Sequence, residues 1–234
     1  MNNATRAQGA QHLKLIEDQG LDLKESDKLN LYLPPLAAGI KKGSIPPLET
    51  FRTVCEGRAK PESLKPRWER VGDTIFFTLP ATDGTTGEGW INRLELQGVK
   101  LTDDARGVLR SNDFKPTTGV IYHVAVLVGA TLVAENRITK NIQAEGTSRK
   151  WEDLPPEAVC LIREVFSDTD LEVMGLWWIV GFGKPIQFDG DPHFLFARRD
   201  DGGRRLGAGF AGPDGRWSGR GGFAFRVPQV QSLA

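Results

Sequence analysis

The chain has 234 residues, long enough for one large domain or two small ones, and its thirty basic side chains are balanced by thirty acidic ones. That balance excludes a global pull toward nucleic acid or an anionic membrane, and no apolar run approaches the roughly 20 residues a membrane-crossing helix needs. With only Cys55 and Cys160, far apart, a disulfide scaffold is not expected; the N-terminus lacks the apolar centre of a signal peptide, and a soluble protein of the reducing cytoplasm is expected.

Residues 1–70 are punctuated by Pro34-Pro35, Pro46-Pro47, Pro61 and Pro66, which prevents long elements. The expectation is an irregular extension, or else a small helical subdomain around residues 29–36 and 48–55. From residue 71 to 234 the pattern becomes regular and reads as a single domain. Residues 74–79 form a short β-branched and aromatic run between Gly72 and Pro80, a strand. A polar loop follows, then a helix over 88–97 stopped by Gly98, and a second over 103–111 capped by Thr102. The loop at 83–89 is glycine-rich and precedes a helix, yet it lacks the lysine of a nucleotide phosphate site.

Residues 120–128 alternate as a strand, with Val120, Tyr122, Val124, Val126 and Val128 on one face and Ile121, His123, Ala125 and Leu127 on the other. A helix is predicted over 135–145. The stretch 155–182 then organises the fold. Pro155-Pro156 suits a helix start, Ala158, Val159, Leu161, Ile162, Val165 and Phe166 form a wide apolar face, and Glu157, Arg163 and Glu164 lie opposite. Ser167 to Asp170 resembles a capping box, Gly175 a helix stop, and residues 176–182 a strand apolar on both faces that belongs in the middle of a sheet. After Lys184 the period is two, with turn signals at residues 200–203 and 213–215. The expected architecture is α+β: a largely antiparallel sheet with helices packed on one face and a C-terminal β-meander.

Three groups of residues carry candidate chemistry. Asp189, Asp191 and His193 lie within five residues and offer oxygen and nitrogen donors for a divalent metal such as zinc or manganese, although Asp-Gly and Asp-Pro are also ordinary turn chemistry. Cys160 falls on the polar side of its helix near Arg163, where a thiol with a lowered pKa could act as a nucleophile; its histidine partner would be His123. A small covered residue and a core histidine are the structural alternatives for these two. The C-terminal part interleaves arginine, glycine and aromatic residues, as proteins that stack on single-stranded nucleic acid do. Arg198 and Arg226 fall in or beside predicted strands and Arg204, Arg205, Arg216 and Arg220 near turns, so they are expected to scatter over both ends of the sheet. Nucleic-acid binding is then at most weak and through Arg216 and Arg220.

Strings around Trp90, over Ala158 to Glu164, over Met174 to Val180 and over Gly222 to Val230 resemble a family of small uncharacterised bacterial proteins, across roughly residues 73–231. That family has no assigned activity, so the resemblance implies one contiguous domain and transfers no site residue. With no clustered catalytic motif, the leading expectation is a non-catalytic binding or regulatory module for a protein or small-molecule partner, with no cofactor. The alternative is a thiol- or metal-dependent hydrolase using Cys160 and His123 or the Asp189–His193 turn.

Overall fold

Period-two alternation and the glycine turns between the runs assemble a nine-stranded sheet. The computed structural model describes residues 67–200 and 202–228, and the expected N-terminal extension lies almost wholly outside them. The described domain begins with β1 (Trp68–Val71), which turns through Gly72 and Asp73 into β2 (Thr74–Thr78). Next come α1 (Gly87–Leu96), the two-residue β3 (Lys100–Leu101), α2 (Asp103–Arg110) and β4 (His123–Val128). A further three helices follow: α3 (Thr139–Ser148), α4 (Pro156–Val165) and α5 (Asp168–Val173). The chain then supplies β5 (Trp178–Gly181), β6 (Ile186–Phe188), β7 (Asp191–Arg198), β8 (Arg205–Phe210) and β9 (Gly222–Arg226).

Local signals decide most of these boundaries. The Thr102 hydroxyl accepts from the Ala105 N–H at the start of α2, and Ser167 and Asp170 form the reciprocal capping box of α5. Gly175, with φ +76°, lets the Gly175 and Leu176 N–H groups reach the Glu172 and Leu171 carbonyls and closes α5. The helix predicted over 135–145 starts later, at Thr139, because Ile138 is extended and bridges to Arg216 instead.

The strand order is β1-β2-β4-β9-β5-β7-β8-β3, with β6 in line with β5 along the same edge of β7. Only β5–β9 and β3–β8 are parallel. β5 is thus interior, flanked by β9 and β7, as its two apolar faces require. The meander continues from β5 and β6 through β7 into β8, where it stops. β9 crosses back to fill the space between β4 and β5, because its residues Gly222–Phe225 are buried on both faces and need neighbours on both edges.

Both faces of the sheet are covered. On one lie α1, α2, α4 and α5 over Ile75, Val124, Val126, Ile179, Leu195 and Ala224. On the other, α3 contributes Ile142 to an aromatic core of Phe182, Phe194, Phe223, Phe225, Trp151 and Trp217. Among the described α-helices, α3 is therefore the one on that second face. Helix α4 is buried all round: Glu157 and Arg163 are 1% and 0% exposed despite their place opposite the apolar stripe.

Candidate binding site

The structure separates the sequence-derived candidates for catalysis. Cys160 is a correction to its expected place on the polar side, since it is wholly buried in the helix-side core. Burial, followed by the charges of Glu157 and Glu164, pushes its thiol well above the ordinary range, so it stays protonated and unreactive. His123 alternates with Val124 and so faces the other side of β4, where its Nδ1 lies 2.9 Å from the Thr78 hydroxyl. The two residues are thus on opposite faces of the sheet.

Asp189 and Gly190, with φ +53° and +84°, are the two central residues of the tight β6–β7 hairpin, the arrangement that Asp-Gly favours. His193 turns its Nδ1 to the Asp191 carbonyl at 2.9 Å. Among the described residues no three His, Cys, Asp or Glu side chains converge as a metal-binding group. At the glycine-rich loop the Thr86 hydroxyl caps α1, and Asp83 is taken up by Thr85 and by Arg93 at 2.5 Å. At that helix end the Thr86 hydroxyl takes the Gly89 N–H.

The arginines behave differently from expectation. Register places Arg198 opposite both Trp178 and Arg205, and the Trp177 N–H donates to the Arg220 carbonyl at 2.8 Å. The starts of β5, β8 and β9 and the end of β7 therefore coincide at one end of the sheet. Arg198, Arg199, Arg204, Arg205 and Arg220 gather there, and Arg216 joins them because Trp217 packs on Trp178 at 5.7 Å. The expected scatter over both ends is corrected; of the seven, Arg226 alone lies at the far end, beside Glu152.

Most of this cluster is engaged. Arg204 donates to the Arg163 carbonyl, Arg205 pairs with Asp200 at 2.6 Å, and Arg199 donates to the Leu176 carbonyl at 2.9 Å. Beneath them Arg163 donates to the Arg198 and Phe166 carbonyls and pairs with Asp168 at 2.9 Å. Burial, then the Arg204 charge, pulls Arg163 down to about 10, which leaves it a cation at neutral pH. Arg199 and Arg220 both lie over the Trp177 ring, at 4.6 and 4.0 Å. Arg198, Arg216 and Arg220 are exposed and have no ion-pair partner among the described residues.

Arg198 and Arg216 line a cleft of about 220 Å³ together with Trp178, Phe196, Trp217 and Ser218. The three rings are half-buried. Trp217 is oriented by its Nε1, which donates to the Thr139 hydroxyl at 3.0 Å. Phe196 and Trp178 lie against bare backbone: a Cβ on Gly207 would come within 2.4 Å of the first ring, and one on Gly221 within 2.1 Å of the second. The glycines of the Arg-Gly-aromatic run thus make room for the rings. Sequence reasoning singled out Arg216 and Arg220 but did not place Arg198 and Phe196 beside Arg216; the β5–β7 pairing sets them next to Trp178, on which Trp217 packs.

Among the described residues none that lines the cleft is an acid, a histidine or a cysteine, so these residues offer an apolar aromatic floor and a cationic rim without a general base. No family model, curated protein or solved structure matches this chain.

Proposed function

We propose that this chain is a non-catalytic binding module that holds a flat, negatively charged ligand in the Trp178–Phe196–Trp217 cleft. One observation carries this reading: Arg198 and Arg216, exposed and unpaired among the described residues, stand at the rim of a half-buried aromatic floor. Few convergent polar groups around an apolar surface are the usual make-up of a ligand site. A guanidinium beside an indole attracts anions and planar rings together. The hydrolase alternative is weakened because its thiol is buried and protonated.

Titration with the aromatic sulfonate 8-anilinonaphthalene-1-sulfonate tests the reading by dye fluorescence. Saturable binding is expected, with affinity falling about tenfold in Trp217→Ala and in the Arg198→Ala/Arg216→Ala double variant, as the loss of roughly 1.4 kcal/mol implies. Unchanged dye affinity in all of these variants would remove the cleft as the site.

A further inference from the structure

We infer that the occupant of this cleft is a single-stranded nucleic acid, with one base lodged against the Trp178–Trp217 floor and neighbouring phosphates on Arg198, Arg216 and Arg220. This rests on the binding reading above and names its ligand class.

Charge complementarity is local, which a net charge of zero conceals. Three described acids already face cations: Asp200 is paired with Arg205, Asp168 with Arg163, and Asp214 with Lys140 at 2.8 Å. Glu172 stands 3.6 Å from Arg199. Three arginines remain for an incoming polyanion. Arg198 and Arg216 flank the cleft, whereas Arg220 lies outside it, over Trp177. A small aromatic anion needs only the first two; a strand continuing past the cleft also meets the third.

The aromatic floor selects against a duplex, whose bases hide their faces in the stack, and in favour of unstacked bases. Every base has such a face, so binding is expected to tolerate sequence. Trp178 and Trp217 are inclined by 49° and already held by glycine backbone and by Thr139, so little order is lost when a ring enters.

Fluorescence anisotropy with a labelled oligo(dT) of about ten nucleotides tests this. Three phosphate contacts predict a slope of log K against log salt of about −2, since each contact in a single strand contributes about −0.7. Arg198→Ala and Arg216→Ala should each weaken binding and make that slope shallower by about 0.7. Trp217→Ala should weaken binding about tenfold or more and leave the slope unchanged, because a stack carries no counterions. If Trp217→Ala does not fold, the arginine variants, whose side chains are exposed, still decide the result. A duplex of the same length should bind more weakly.

Failure of the oligonucleotide to bind while the sulfonate dye still does would overturn the nucleic-acid assignment and leave the binding module standing. Thymidine monophosphate binding as tightly as the oligonucleotide would overturn it in favour of a small ligand. Loss of both probes would overturn both readings.

Discussion

Glu157 provides the most demanding test of how the helix layer is held together. Its carboxylate is 1% exposed and accepts three hydrogen bonds: from the Tyr122 hydroxyl at 2.5 Å, the Thr117 hydroxyl at 2.6 Å and the Thr117 N–H at 2.9 Å. These tie the first turn of α4 to the loop that enters β4. Glu157→Ala orphans three donors, each costing about 1–3 kcal/mol when buried, but relaxation and water entry make such costs less than additive. Breaking a buried charged network from one side typically costs about 3–5 kcal/mol, and that range is expected here. Glu157→Gln should cost only about 1–2 kcal/mol. Its amide can turn so that the oxygen takes the Thr117 N–H while the NH₂ donates to the two hydroxyls, which reverse their roles. Tyr122→Phe should cost about 1.5–3 kcal/mol, the worth of one bond to a charged acceptor. Urea unfolding of the three variants measures this order directly. Glu157→Ala within about 0.5 kcal/mol of the parent would refute the reasoning and show that the carboxylate is dispensable to this junction.

Phe182 is fully buried with four aromatic rings within 6.0 Å, so Phe182→Ala should lose about 3–5 kcal/mol in chemical denaturation. In a Cys55→Ser background, Cys160 should react with a thiol reagent only at the rate of unfolding; fast labelling under native conditions would show that the α4 core opens. Hydrogen bonding to Arg149 lowers Asp73 to about 2. A depressed carboxylate adds stability that is complete above its unfolded value near 4 and is lost as pH falls through about 2. Asp73→Asn should therefore be slightly less stable at neutral pH and show a shallower loss between about pH 4 and pH 2 in acid titrations by circular dichroism. Burial, then the Glu157 contact, raises Tyr122 to about 12, so its neutral phenol supports the fold below pH 10 and that support fades as pH rises through about 12. In a Tyr32→Phe background, tyrosinate absorbance should reveal that late titration.

What could be read in advance is what short-range chemistry controls. The two faces of β4, the interior place of β5, the Thr102 cap and the Ser167–Asp170 capping box all follow from residues within a few positions of one another. Helix α4 misled because a wheel shows a helix's own periodicity and not what packs behind it. Glu157, Cys160 and Arg163 fall on the polar side of that wheel, yet all three are buried, and Tyr122, Thr117 and the Arg198 carbonyl come from distant segments to satisfy Glu157 and Arg163. The arginine cluster was hidden for a similar reason. Arg198, Arg216 and Arg220 share one end of the sheet because β5 pairs with β7 on one edge and with β9, which leaves the meander, on the other, and no local pattern states this. The candidate site is thus a product of topology, although its residue types stood out in the sequence.

That crossing of β9 also makes it a seam. Within the sheet, β1, β2 and β4 form one group and β5 to β8 with β3 another, and among the described strands only β9 is hydrogen-bonded to both. The two edges it joins, β4 and β5, are among the most apolar strands of the domain. Before residues 222–226 dock, each half-sheet presents a bare, sticky edge, which makes a premature stop upstream of Gly222 an aggregation hazard and not a mere trimming. The strand opens on Gly222 with good reason, since a Cβ there would come within 2.3 Å of the Val126 side chain across the seam. Closure of the domain is therefore a non-local event: a zip drawn shut by the strand that follows all the other described strands of the sheet in the chain.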